Sequence, residues 1–249
     1  MPAWLEEDLV DMLVFGGDLG PMAMAPQLRT MVELAHKYQV PALANIGGSG
    51  LQPKTGYYTE EAWWAAATNA WHAGVDGIYT FNLFPEEPKE QFSRIGSRDT
   101  LKRIDKLYAI DPVQPKDFWG FDRSALVVLD RLPIALHPEY AAAAKLYVGE
   151  DIAANAPAGR RPHARLRVRF PAVRGEELHI TLNGKDLGAA APAVPLGDEP
   201  APAWFELDVE PPDLRPGMNL VDVGLVTRRS AAEPILMDRI ELAVQYREK

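Results

Sequence analysis

The pattern of hydrophobic and polar positions divides the chain into two parts of different texture. Between residues 8 and 108, short apolar runs alternate with stretches in which apolar residues recur at helical spacing. The predicted elements are strands at 9–15, 40–46 and 75–83 and helices at 26–39, 59–72 and 97–109. Strands repeat at intervals of roughly 30 residues, which is typical of βα units in a parallel sheet. This part is therefore predicted to be α/β.

From Pro112 onward, helical periodicity fades and short β-rich runs separated by turn residues take over. The predicted strands lie at 125–130, 143–148, 164–170, 177–182, 203–209, 219–227 and 235–246. Asn183-Gly184 between LHITL and KDLG is a strong two-residue hairpin signal. We expect an α/β plus all-β protein in two domains, with about three βα units in residues 1–112 and a β-sandwich of jelly-roll type in 113–249.

Charge and composition exclude several classes of protein. The 249 residues carry a formal net charge of -9, which disfavours nucleic acid and anionic lipid as partners. Arg165, Arg167 and Arg169 alternate with Leu166 and Val168, as on the solvated face of a strand. The chain contains no Cys, and its five histidines have no zinc-ligand spacing, so we expect no metal and no cofactor.

The chain as written predicts a soluble protein. Residues 1–25 lack the basic start and apolar core of a secretory signal, and no apolar run approaches membrane-spanning length. The expected location is cytoplasmic as written, and secreted or periplasmic if the true start lies upstream of Met1. An internal methionine taken as the start would explain why the chain opens so close to a buried strand.

The order LVDMLVFGGD, VPALANIGG, EEAWWAAATNAWHAG and VDGIYTFNLFP resembles the C-terminal half of glycoside-hydrolase-like barrels of the family 10 type glycosylhydrolases. RLRVRF, ITLNGKDLG and the closing PGMNLVDVGL to IELAVQY resemble the β-sandwich that often follows such barrels. The resemblance implies the last three strands of a (β/α)₈ barrel, without the first five. It also implies a bacterial carbohydrate-active protein.

The resemblance leaves catalysis by this chain open. Glycoside hydrolysis needs two carboxyl groups on the strand-end face. The acid/base of the fourth barrel strand has no counterpart here, and the run that would end in a nucleophilic Glu ends instead in Asn45-Ile46 and glycines. The carboxylates that remain as catalytic candidates are Asp18 and Glu86, with Glu87 beside the latter.

Several residues near strand ends are candidates for binding sugar. Asn45 and Asn82 have side-chain amides that pair donors and acceptors with hydroxyl groups. Tyr57 and Tyr58 precede the second predicted helix and offer rings on which a sugar can stack. Trp64 and Trp71 share a helix face and are more simply explained as core.

Three functions stay open at this point. The first is a glycoside-hydrolase-like enzyme, whose barrel is partly missing. The second is a non-catalytic carbohydrate-binding or scaffold protein that acts through the sandwich, with homo-oligomers formed by open strand edges. The third is a phosphosugar enzyme that uses the Gly47-Gly48-Ser49-Gly50 loop.

Overall fold

The computed structural model describes residues 2–16, 25–46, 59–80, 90–110, 132–156, 162–193, 200–227 and 234–246. The helices of these residues are α1 (Pro2–Glu6), α2 (Ala25–Lys37), α3 (Glu60–Ala73), α4 (Glu90–Ile95) and α5 (Arg98–Leu101). The first seven strands are β1 (Leu13–Phe15), β2 (Ala42–Asn45), β3 (Gly77–Tyr79), β4 (Lys106–Ile110), β5 (Ile134–Ala135), β6 (Ala142–Val148) and β7 (His163–Val173). The others are β8 (Leu178–Leu182), β9 (Lys185–Ala190), β10 (Ala201–Val209), β11 (Gly217–Leu225), β12 (Leu236–Met237) and β13 (Arg239–Gln245). Strand is therefore the main regular structure, and the sheets are open.

The first three strands form a parallel sheet in the order β1-β2-β3. The register aligns Val14 with Leu43 and then with Gly77, and it aligns Asn45 with Tyr79. Side chains alternate between the two faces of a sheet, and Phe15, Ala42 and Ala44 are buried on the face covered by α2 and α3. The prediction of three parallel strands joined by helices is confirmed. This three-stranded sheet does not by itself show a barrel, so the partial barrel stays a prediction.

Helix α3 begins and ends where the sequence predicts. The hydroxyl of Thr59 accepts a hydrogen bond from the backbone N–H of Ala62 and caps the first turn, while Gly74 ends the helix in the left-handed conformation at φ 101°. Trp64 is buried, and the half-buried Trp71 donates from its indole nitrogen to the carbonyl of Ile95 at 2.8 Å. The prediction that these two tryptophans belong to the core is confirmed.

The remaining strands build two four-stranded sheets with one shared core. Their orders are β10-β7-β13-β4 and β6-β11-β8-β9, and β12 pairs with β5 in a short ribbon. Phe170 and Phe205 from the first sheet and Ile180 and Val221 from the second are all fully buried in the same cluster. The Asn183-Gly184 hairpin is confirmed, since both residues have positive φ angles between β8 and β9. The predicted strand at 125–130 lies outside the described residues.

The predicted helix over 97–109 is wrong in its second half. Only Arg98–Leu101 is helical, and Lys106–Ile110 is a strand that pairs antiparallel with β13 at the edge of the first sandwich sheet. Leu107 and Tyr108 satisfied a helical spacing, but they point to opposite sides of a strand that is covered on both. A strand from before Pro112 thus completes the sandwich, and the division into 1–112 and 113–249 stays a prediction.

Helix α3 is the element that joins the parallel sheet to the sandwich. It packs against β4 and β6, which are edge strands of the two sandwich sheets in the described part of the chain. The approach is close at Gly149, where an added Cβ would lie 2.6 Å from the carbonyl oxygen of Thr68. Covering edge strands with a helix protects them from pairing with other chains. Among the described residues, no helix combines the length and the apolar character needed to cross a membrane.

Candidate functional site

One face of the parallel sheet has no helix packed on it in the described structure, and we call it the open face. Alternation places five residues there, namely Val14, Leu43, Asn45, Gly77 and Tyr79. Val14 and Tyr79 are both 41% exposed, although parallel sheets are normally covered on both faces. The open face is therefore a surface where a ligand or a further layer of structure can lie.

Asn45 and Tyr79 are neighbours at the carboxyl end of the open face. They are paired in register on adjacent parallel strands, so their Cα atoms are separated by roughly the strand spacing of about 4.8 Å. The backbone N–H of Ile46 donates to the carbonyl of Tyr79 at 2.8 Å and keeps the two strand ends together. An amide and a phenol ring thus share one end of the sheet.

The amide oxygen of Asn45 is buried and has no hydrogen-bond partner in the structure. The backbone of Gly16 lies against Asn45, since a Cβ added at Gly16 would be 2.6 Å from the Asn45 Cβ. Gly16 also has a φ of 145°, a conformation that glycine adopts without strain. A buried acceptor without a donor costs about 1–3 kcal/mol. The indole nitrogen of Trp64 and the amide oxygen of Asn69 are also buried without a partner.

Asn45 is the predicted site residue that the structure describes. Asp18, Glu86, Asn82, Tyr57 and Tyr58 lie outside the described residues, as do Glu87 and the Gly47 to Gly50 loop. Their roles stay predictions. Tyr79 was missed in the sequence, although its alternation with Ile78 at the end of a strand was a signal that could have identified it.

A second polar cluster is buried inside the sandwich around Glu150. Its carboxylate accepts hydrogen bonds from the hydroxyls of Tyr108 at 2.7 Å and Tyr246 at 3.2 Å, and from the amide of Asn155 at 3.0 Å. Lys106 lies 3.0 and 3.1 Å from the two carboxylate oxygens and is 1% exposed. Every oxygen lone pair has a donor nearby, which is typical of a structural network.

Burial dominates the proton equilibria of this cluster. Desolvation lowers the pKa of Lys106, against the opposing attraction of Glu150. Desolvation together with the charge of Glu150 raises the pKa values of Tyr108 and Tyr246 well above their ordinary range. The two phenols therefore stay protonated and donate to Glu150. We assign this cluster to stability.

A third cluster lies where α2, α3 and β6 meet. Nδ1 of His72 accepts from the Arg29 guanidinium at 3.2 Å and lies 2.8 Å from the hydroxyl of Tyr147. Since arginine can only donate, the Nδ1 atom is unprotonated in this arrangement. Partial burial and then the charges of Arg29 and Arg98 lower the pKa of His72. Neutral His72 thus helps to hold the sandwich against the α/β part.

The arginines of β7 lie on the outer face of the sandwich, where the sequence predicts a solvated surface. Arg165 pairs with Asp208 at 2.9 Å, Arg167 with Glu206 at 3.1 Å, and Arg169 with Asp238. These cations are matched by carboxylates on β10 and, for Asp238, directly before β13. Within the described ranges, no group of three or more His, Asp or Glu side chains has the arrangement of a metal site.

Comparisons with known proteins give slight similarities. No family model matches the chain, and no curated protein matches it. Among solved structures, it is similar to BuGH86 in complex with neoagarooctaose, with 12% identity, a TM-score of 0.33, and coverage of 56% of this chain and 18% of that chain. A second is BpGH86A, a beta-porphyranase of glycoside hydrolase family 86 from Bacteroides plebeius, with 17% identity, a TM-score of 0.28, and coverage of 47% and 19%.

A third neighbour is a family 35 carbohydrate binding module from Clostridium thermocellum, with 13% identity and a TM-score of 0.26. The similarity covers 55% of this chain and 90% of that module. This chain spans less than a fifth of the length of the two hydrolases. TM-scores this low assign neither a family nor a function to this chain.

Proposed function

We propose that this chain is a carbohydrate-active protein of glycoside-hydrolase type that binds a glycan at the carboxyl end of the open face. The observation that carries the proposal is the buried, unpartnered amide oxygen of Asn45 beside the exposed ring of Tyr79. A sugar presents hydroxyl donors and an apolar C–H surface together. An amide acceptor next to an aromatic ring matches both features.

The proposed lineage is a partial (β/α) barrel, similar to the C-terminal half of the barrels of family 10 type glycosylhydrolases. Its support is the sequential order of the three parallel strands, which is the order that barrel strands follow. In that arrangement the open face would correspond to the inside of the barrel, and the strand ends would correspond to its catalytic end. Asp18 and Glu86 are the carboxylates that we propose for hydrolysis, with Asn82, Tyr57 and Tyr58 as further sugar contacts.

The test of binding uses affinity gel electrophoresis of the whole chain with soluble xylan, laminarin and agar-derived neoagarooctaose, followed by calorimetry. Asn45→Ala is expected to weaken binding roughly fivefold, because one hydrogen bond of about 1 kcal/mol is lost. Tyr79→Ala is expected to weaken it roughly tenfold through loss of ring contact. Glu33→Ala, at an exposed position of α2, is the matched control and should bind like the parent chain.

The proposal fails if the parent chain binds none of these glycans, or if both open-face variants bind as the parent does. Hydrolysis is tested separately by release of reducing ends. Activity that disappears in Asp18→Asn and in Glu86→Gln, with glycan binding retained, would support the proposed carboxylates. Binding without any turnover would instead favour the non-catalytic alternative.

We also propose that copies of the chain associate through the open strand edges or the open face. The support is the exposed apolar side chain of Val14 on the open face of β1, which is an edge strand in the described part of the chain, since exposed apolar surface at a sheet edge favours self-association. Light scattering after size exclusion tests it. A monomer at all concentrations would refute it, whereas an oligomer that glycan dissociates would locate the interface on the open face.

A further inference from the structure

A pair of stacked aromatic rings lies on the loop between β5 and β6. The rings of His137 and Tyr140 are 4.2 Å apart between centroids and only 7° from parallel. Tyr140 is 65% exposed, so one face of its ring is against the imidazole and most of the remainder is open to water. We call this pair the sandwich platform.

The sandwich platform is fixed in place by its own loop. The backbone N–H of Glu139 donates to Nδ1 of His137 at 3.2 Å, and Pro138 between them restricts the backbone. Below it, the buried Leu136 is anchored by a hydrogen bond from its N–H to the carbonyl of Ile235 at 2.8 Å. Rings that are already held in position lose little conformational freedom when a ligand binds, which favours affinity.

We infer that the sandwich platform is a second carbohydrate contact, at which a pyranose ring stacks on the free face of Tyr140. Stacking of a sugar on an aromatic ring uses the apolar C–H surface of the sugar, and the exposed carboxylate of Glu139 is beside the platform to accept a hydroxyl donor. The inference rests on the proposed function for the class of ligand. It assigns sugar binding to residues of the sandwich, which are not part of the open face.

The platform is remote from the junction with the α/β part. Tyr140 precedes the first residue of β6, while Tyr147, which contacts His72, is near the last, so about 20 Å of strand separates them. One glycan chain that reaches both the open face and the platform would bind them together. Linked contacts of this kind raise affinity for a long chain far more than for a short one.

The experiment measures binding to the whole chain by calorimetry. The polymer probes are xylan and laminarin, and the matching short-chain probes are xylotetraose and laminaritetraose. Tyr140→Ala is expected to weaken polymer binding about fivefold, because the stacking contact is lost, and to change tetrasaccharide binding at the open face less than twofold. Tyr140→Phe keeps the ring and is the matched control, with polymer binding within about twofold of the parent. Because Tyr140 is exposed, thermal unfolding of both variants should match the parent chain.

The results separate this inference from the proposed function. If the parent chain binds polymer and Tyr140→Ala binds it equally well, the platform is not a carbohydrate contact. If Tyr140→Ala weakens polymer binding and Asn45→Ala does not, the platform stands and the open-face site of the proposed function falls. If the parent chain binds none of the four probes, both are overturned.

Discussion

The sandwich interior and the open face differ in whether their buried polar atoms have hydrogen-bond partners. Around Glu150, four side chains converge and each carboxylate oxygen has its donors. At the end of the parallel sheet, the buried oxygen of Asn45, the last residue of β2, has none. The difference teaches that buried polar atoms are fully paired in the first region, whereas an acceptor is left unpaired in the second.

The Glu150 network also explains why the sandwich depends on the α/β part. Lys106 and Tyr108 come from β4, which precedes Pro112, whereas Tyr246 follows β13 at the other end of the chain. A truncated sandwich beginning at residue 120 would lack β4 and leave Glu150 without two of its partners. Binding experiments on the sandwich therefore require the whole chain.

The largest effect is expected from breaking the Glu150 network. Glu150→Leu leaves the buried ammonium group of Lys106 without its counter-ion, and we expect a loss of about 3–5 kcal/mol in the free energy of unfolding. Denaturant unfolding measures it. The double variant with Lys106→Met should recover much of the loss, because it removes the unpaired charge.

Glu33→Gln, a carboxylate removed from an exposed helix position, is the control and should leave the unfolding midpoint nearly unchanged. If Glu150→Leu unfolds at the same denaturant concentration as this control, the network contributes nothing to stability. In that case the contrast between the two regions would fail. Glycan affinity of folded Glu150→Leu should match the parent, since the network is separate from the open face.

A smaller loss is expected from Gly149→Ala at the junction of α3 and β6. The added methyl group would meet the Thr68 carbonyl oxygen at 2.6 Å and the Cα of Asn69 at 2.7 Å, both of which are backbone atoms that cannot move aside cheaply. We expect about 1–3 kcal/mol of destabilisation in denaturant unfolding. Gly96→Ala, where nothing lies within 4 Å, is the matched control. Equal midpoints for the two variants would mean that α3 is not tightly docked on the sandwich.

How far the sequence predicts this molecule depends on which physical signal each element carries. Helix α3 was predictable because Thr59 and Gly74 are strong local caps, and the hairpin at Asn183-Gly184 because its turn type demands those residues. Strand β4 was not predictable, because it is buried on both faces and its sequence therefore shows no alternation of apolar and polar residues. Pairing between β4 and β13 joins residues more than a hundred positions apart, which no local pattern encodes.

The candidate site was predictable to a similar, partial extent. Asn45 stands out in the sequence because it is a polar residue at the end of an apolar run, and its role in binding stays a prediction. That Tyr79 lies beside Asn45 depends on the register of β2 and β3, which is a tertiary property. The platform at His137 and Tyr140 is a loop conformation, for which residue type gives little guidance.

Acidification should weaken the junction at His72. The pKa of His72 in the folded chain is lowered from its ordinary value of 6.5, so the unfolded chain binds the proton more readily. The stabilisation is therefore complete above about pH 6.5 and is lost as the pH falls from there through the folded pKa. Unfolding midpoints measured between about pH 7.5 and pH 5 should fall less in His72→Asn, which offers an acceptor that cannot be protonated. A His72→Asn profile parallel to that of the parent would rule out the mechanism.

The smallest effect is expected on the outer face of the sandwich, and it sharpens the contrast because ion pairs are plentiful there. Arg165 is 41% exposed and pairs with Asp208, which is 65% exposed, so solvent screens the attraction. Arg165→Gln should cost less than about 1 kcal/mol in denaturant unfolding, and a double-mutant cycle with Asp208→Asn should return a coupling of similar or smaller size that shrinks with added salt. A coupling that approaches the loss in Glu150→Leu would show that the number of charge pairs, rather than their depth, governs stability here. A small one leaves Lys106 and Glu150 as the ion pair on which the sandwich depends, because among the ion pairs of the described residues this is the one in which both side chains are buried.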